Sequence, residues 1–292
     1  DYKINSIYYQ NEWTDEEISE EKALLNNIST DVEVQKYSDQ FLYHPDDVDQ
    51  SFVSDVFTTF RKYCEKNLVV RDIVEPTYSF SKENLINENQ NNLPTLEDLG
   101  LNDFEMDSRT AFPFKGGCLS AKDRVNYYLW ESKKVNFYKK TRNGLLGKDY
   151  SSKFSAWLAN GSISSREIYW QIKNYEKDIM KNQSTYWMIF ELIWRDFFKF
   201  ISLKYGNKIF KIGGILDKDY TWSRDEDQFQ NWIDGKTNEP FVNANMIELK
   251  STGWMSNRGR QNVASFLSKE LLIDWRWGAS YFESMLIDYD VH

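Results

Sequence analysis

The sequence predicts a mainly α protein preceded by a small α/β portion, and three observations carry that reading. From Phe112 onward apolar and aromatic residues recur at helical spacing, as in Arg124, Tyr127, Tyr128 and Glu131 and again in Trp187, Phe190, Glu191, Trp194, Arg195 and Phe198. Ahead of Phe112 only two short β-like runs occur. Charge divides at nearly the same place: residues 1–107 hold 24 acidic and 8 basic side chains, and residues 108–292 hold 21 and 28. A local −16 and a local +7 thus compose the net charge of −9.

Taken in order, residues 4–10 and 41–43 read as strands, separated by the acidic, helix-compatible stretch Asp15–Asn26. One strand–helix–strand unit is too little sheet to stand alone. Residues 1–75 are therefore read as part of a larger α/β domain. Residues 76–111 read as a linker, because Ser81–Asp107 is rich in Asn and Glu and carries Pro94 and Gly100. Residues 112–292 form the helical domain, with breaks at Asn143-Gly144, Asn160-Gly161, Gly213-Gly214 and Gly235. A length of 292 residues suits one large domain or two smaller ones, and no repeat of solenoid period is visible.

Composition excludes several functions. Two cysteines, Cys64 and Cys118, build no disulfide framework, and with only His44 and His292 there is no basis for a Cys/His zinc site. Aromatic residues make up 16% of the chain, which predicts a large aromatic core. No run approaches the ~18 to 20 apolar residues of a membrane span, and neither end reads as a targeting peptide. The expectation is an intracellular, soluble protein with no membrane partner. Because the chain starts at Asp1 without an initiator Met, it is expected to be a piece of something longer. The acidic average argues against general nucleic-acid binding, yet Lys115–Lys153 carries ten Lys/Arg against three Asp/Glu. That run is either a solvated helix face or a partner surface.

Four stretches could carry chemistry. In Trp187-Met-Ile-Phe-Glu191-Leu-Ile-Trp194-Arg195-Asp196, helical spacing sets Glu191 one turn from Arg195 and on one face with Trp187 and Trp194. The spacing fits a surface ion pair beside core aromatics, and it fits a site that stacks a flat heterocycle. In Asp149-Tyr-Ser-Ser-Lys-Phe-Ser155, consecutive hydroxyls at a helix start supply N-caps, while backbone N–H groups and Lys153 would suit a diphosphate. Thr252-Gly-Trp-Met-Ser-Asn257-Arg258-Gly-Arg260 puts an amide and two guanidiniums at a helix start, where they read a phosphate or base edge or serve as scaffold ion pairs. Last come Ile273-Asp-Trp275-Arg276 and Asp288-Tyr-Asp290, paired carboxylates without further ligands.

Together and in this order, these stretches, with Thr141-Arg-Asn-Gly-Leu-Leu-Gly, resemble the FAD-binding helical domain of the photolyase/cryptochrome family, most closely its DASH type. The resemblance runs from about Phe112 to Asp290, and Phe57-Thr-Thr-Phe-Arg-Lys looks like the connector after that family's amino-terminal domain. It implies that residues 1–75 are a partial Rossmann-like antenna domain. It further implies a U-shaped FAD, with Tyr138, Ser151, Ser152, Lys153, Phe154 and Ser155 at its diphosphate and ribityl part, Arg195 and Arg260 in contact with it, and Asp288 and Asp290 beside the flavin ring. Glu191, Trp194, Asn257 and Arg258 match the positions that receive a flipped-out pyrimidine dimer, with Glu191, Asn257 and Trp194 as the catalytic set. Trp222 and Trp275 match two members of a photoreducing Trp relay.

The implied activity is light-driven electron donation from reduced flavin to a cyclobutane pyrimidine dimer, preferably in single-stranded DNA. The alternatives are a repair-inactive photoreceptor, or a flavin-binding piece that needs a separate chain to complete its amino-terminal domain. Three departures stand out. A folate antenna (methenyltetrahydrofolate) would have only the stretch around Glu12 to bind it. The third relay Trp and an Asn near the flavin would lie past His292. The family's Asp-Ala-Asn-Met-Arg-Glu-Leu reads Asn243-Ala-Asn-Met-Ile247-Glu-Leu, losing an i, i+4 ion pair without leaving one charge alone.

Overall fold

The computed structural model describes residues 4–75, 79, 93–102 and 104–292; the part of the expected linker at 76–78, 80–92 and 103 lies outside the described residues. Strands β1 (Ser6–Gln10) and β2 (Glu33–Tyr37) pair in parallel, from Ser6 opposite Glu33 to Gln10 opposite Tyr37. Helix α1 (Asp15–Asn27) joins them, and Asp15, Glu16 and Glu17 in its first turn favour its amino-terminal dipole end. None of its residues is buried. The unit therefore adds little core of its own, and Tyr8 remains 62% exposed.

The second strand is not the expected one. Residues 41–43 form no ladder, because the backbone N–H groups of Leu42 and Tyr43 each donate to the Asp196 carboxylate at 2.8 Å. Phe41, Leu42 and Tyr43 are buried there, so their β-like composition serves a core and not a sheet. Helix α2 (Phe57–Asn67) then buries Phe57, Phe60 and Cys64. The Phe57 ring stacks on Trp194 at 3.5 Å, and Phe60 meets Phe197 and Phe200 at 5.6 and 5.5 Å.

The helical part follows as α3 (Cys118–Asn126), α4 (Tyr138–Thr141), α5 (Ser155–Ala159), α6 (Ser165–Asp178), α7 (Gln183–Tyr205), α8 (Glu226–Ile233), α9 (Pro240–Thr252), α10 (Asn257–Ser265) and α11 (Trp275–Met285). All four expected breaks fall between helices. Central α7 starts at a capping box in which Asn182 accepts from the N–H groups of Ser184 and Thr185 and Thr185 answers with its hydroxyl. Helix α9 stops at Gly253, whose φ of 67° suits glycine and whose added Cβ would meet Ile287 at 2.7 Å.

Two apolar cores result. The larger runs from Trp13 and Phe41 through α2–α7 to Trp254, and the smaller gathers Trp232, Val242, Met246, Leu249, Met255, Val263, Leu267 and Ile273 from α8–α11. The changed pair on α9 is neutral in place: Asn243 exchanges hydrogen bonds with Thr237 at 2.7–2.9 Å, and Ile247 lies at the surface, 45% exposed. No described helix is long and apolar enough to cross a membrane.

Candidate functional site

A cavity of about 340 Å³ opens where the two cores meet. Its first wall is the loop before α5. Arg124 of α3 is buried and donates to the carbonyls of Ser152 at 2.9 Å, Lys148 at 2.9 Å and Ser151 at 3.1 Å, and to the Asp149 carboxylate at 2.8 Å. Burial raises the Asp149 carboxyl, but hydrogen bonds from Arg124 and Lys134 outweigh it and hold it at about 2. The loop so anchored carries Lys153 at φ 66°, an uncommon conformation for a side-chain-bearing residue. Gly144 permits this packing, since a Cβ there would stand 2.6 Å from Tyr150. The expected hydroxyl caps are absent: Phe154 occupies the cap position of α5 with no side-chain bond, and Ser151, Ser152 and Ser155 line the cavity instead.

The second wall is α7. Arg195 donates to the carbonyls of Gln40 at 2.6 Å and Leu158 at 3.1 Å and to Asp290 at 3.2 Å, which Lys199 also meets at 3.2 Å. Glu191 is paired with Arg142 and not with Arg195, which rules out the surface ion pair that the spacing allowed. Arg195 is already engaged by backbone carbonyls and Asp290, and Arg142 packs over the Trp187 ring at 5.5 Å. Burial raises the Glu191 carboxyl despite Arg142. The third wall comes from α10 and the segment after α11: Arg260 donates to Met255 O at 2.9 Å and to both Asp288 oxygens at 2.8 and 3.0 Å.

Of the sequence-selected residues, Tyr138, Ser151, Ser152, Lys153, Phe154, Ser155, Glu191, Arg195, Asn257, Arg260, Asp288 and Asp290 all line this cavity. Trp194 does not; its indole faces Phe57, because the face it shares with Glu191 also meets α2. Arg258 lies outside, bonded to Asn143 and Gln261 at 3.2 and 3.0 Å. Trp222 and Trp275 flank the bridge between Ser223 and Ile273, away from the cavity, and Trp275 donates to Ile212 O at 3.1 Å. Glu12, the expected antenna residue, is engaged by His292 at 3.3 Å. Of the basic run, Arg124 and Lys153 point inward, so they are no part of a phosphate track.

Sequence reasoning passed over Arg142, Tyr150, Trp254 and His292, which also line the cavity. The first three lie inside the motifs quoted above, so the signal was adjacency to them. His292 carried none: its place depends on a stack with Trp13 at 4.3 Å and a bond to Ser202 at 3.1 Å.

The donor set fits FAD. Lys153 Nζ is buried without a hydrogen-bond partner among the described residues, which a diphosphate would supply, and Arg195 and Arg260 add charge. Leu158, Met188, Leu192, Phe198 and Met255 offer apolar wall for a ring system.

Residues 187–292 match the family model described as the FAD binding domain of DNA photolyase. Proteins named cryptochrome DASH are similar over nearly the whole chain, at 47% identity in Danio rerio (99% of this chain, 56% of that protein) and 46% in Synechocystis (98% and 59%). The crystal structure of the Synechocystis cryptochrome superposes with a TM-score of 0.89 at 44% identity, covering 98% of this chain and 60% of that one. An archaeal photolyase from Sulfolobus tokodaii, solved with two FAD molecules, gives 0.70 at 26% identity over 99% and 59% of the two chains. The chain thus spans little more than half the length of these relatives. With a mostly helical fold, nearly the whole chain superposing on both, and a cavity whose charges suit a flavin dinucleotide, the chain belongs to the photolyase/cryptochrome family and takes FAD as its cofactor.

Proposed function

We propose that this chain carries out light-driven splitting of cyclobutane pyrimidine dimers, preferably in single-stranded DNA. The observation that carries the reading is Glu191, a carboxyl raised by burial on the wall of a cavity ringed by cations. When bound, FAD supplies the light absorption and the electron. The protein's part is placement and electrostatics. Tyr138 and Ser151, Ser152, Lys153, Phe154 and Ser155 hold the diphosphate and ribityl part, and Arg195 and Arg260 contact the cofactor together with their partners Asp290 and Asp288, which stand beside the ring. Glu191, whose carboxyl burial raises from its ordinary value, faces the cavity where a flipped base would enter, and Asn257 reaches the same base edge. Arg258, exposed at the mouth, meets backbone phosphate. Trp194 acts as a positioning residue that ties α7 to α2, and Trp222 with Trp275 forms an outer electron path.

A dependence on a separate chain is favoured by the sheet, whose two strands pair, among the described residues, only with each other, with Tyr8 of the first left exposed.

The test is to load the chain with FAD, reduce it chemically and illuminate it with dimer-containing oligonucleotides, single- and double-stranded. Repair of both, faster on the single strand, is expected, and Glu191→Gln should lower it roughly 10²-fold with flavin content unchanged. Flavin retained without repair of either DNA leaves the photoreceptor reading.

A further inference from the structure

Lys153 is the most unusual side chain of the cavity. It is 2% exposed, sits at φ 66°, and its Nζ has no hydrogen-bond partner among the described residues. The amine lies 3.5 Å from the centre of the Tyr150 ring and 4.4 Å from that of Trp254. Trp254 Nε1 donates to Tyr150 Oη at 3.2 Å, which locks the two rings around it. An ammonium has three N–H donors, and here none is used. Aromatic faces favour a cation, but they do not replace the hydration of a fully buried one. The charged groups that face it are Glu248 of α9 and Asp288 after α11 on the acidic side, and Arg124 of α3 and Arg260 of α10 on the basic side. Asp288 is already committed to Arg260, so it offers Lys153 little.

We propose that Lys153 couples anion binding in this cavity to the uptake of one proton: above neutrality the ligand-free chain holds it mainly as a neutral amine, and the diphosphate of the flavin nucleotide converts it to an ammonium. The proton comes from solvent onto the Nζ lone pair, and no other bond changes. Burial, joined by Arg124 and Arg260 and resisted by Glu248 and Asp288, pushes the ligand-free amine down to about 7. A diphosphate next to Nζ supplies both the missing acceptors and the opposite charge, returning it toward the ordinary range. Affinity then falls as pH rises, because binding must draw a proton from an ever scarcer supply. This inference rests on the flavin reading of the cavity.

Two measurements test it. In the full chain labelled with 15N-lysine, the Nζ signal lost in Lys153→Met should titrate near neutrality without ligand and stay ammonium to about pH 9 with FAD. In parallel, FAD dissociation constants should rise about tenfold per pH unit from about pH 7.5 to about pH 9.5. Lys153→Arg should bind FAD with a flat profile over that range. A Nζ that remains protonated past about pH 9 without ligand overturns the proposal, as does a flat profile in the unaltered chain. If Nζ titrates low but FAD does not bind at any pH, the flavin reading fails and inorganic pyrophosphate decides the rest. Its return of Nζ to the ammonium form supports the coupling, and a Nζ left neutral overturns it.

Discussion

Asp196 shows how one residue ties distant parts of the chain together. It is completely buried, accepts the N–H groups of Leu42 and Tyr43, and burial pushes its carboxyl up to about 7 against those bonds. In Asp196→Asn the amide keeps one acceptor and turns two donors toward the second N–H, so unfolding by urea should show a loss of about 1–3 kcal/mol. The pH dependence has a definite sign. A folded value raised above the ordinary 3.8 gives a contribution that is full in acid and lost as pH rises through about 7. The gap between unaltered chain and variant should therefore be widest at low pH and narrow above neutrality. At Glu191 the opposing cation is Arg142, so Arg142→Met should leave burial opposed only by Trp187 and raise the carboxyl further. Infrared titration of the protonated carboxyl band would show it persisting to higher pH, and an unchanged midpoint would refute Arg142 as its partner. The motif residues were readable from sequence because each lies in a distinctive run. Their partners were not, since Arg124 meets Asp149 across 25 positions and Arg142 meets Glu191 across 49.

Among the elements, α7 and α2 show what was and was not legible. The 23 residues of α7 announce themselves by periodicity, and Asn182 and Thr185 fix where it begins. The strand expected at 41–43 failed because a β-like run looks the same whether its N–H groups meet a neighbouring strand or a carboxylate more than 150 residues away. Trp194 likewise satisfies two helix faces at once, and only the presence of α2 decides that it stacks on Phe57. Phe60 is the test of that joint, being wholly buried between Phe197 and Phe200. Phe60→Ala should cost about 3–5 kcal/mol in chemical unfolding, with a loss under about 1 kcal/mol meaning that α2 is not part of the α7 core.

For the whole molecule, the charge division of −16 and +7 follows composition, whereas the cores divide elsewhere: residues 13–70 share one core with α3–α7, and α8–α11 build the other. The cavity lies at that junction, taking Tyr138, Ser151–Ser155, Glu191 and Arg195 from the first side and Asn257, Arg260 and Asp288 from the second. Trp254 stacked on Phe112 at 4.9 Å and the contacts of Asp290 with Arg195 and Lys199 are the main ties across it. A ligand spanning both walls binds only when both are formed, so it stabilises them as one unit. Without flavin, hydrogen exchange should show α8–α11 opening at lower free energy than α7, and saturating FAD should bring the two together. Trp232→Ala sharpens the comparison, because this wholly buried indole donates to Val263 O at 3.1 Å within the smaller core alone. It should speed exchange in α8–α11 by an amount matching about 3–5 kcal/mol while leaving α7 near its original protection. Equal acceleration of both would show that the chain opens as a single unit and that the ligand joins nothing.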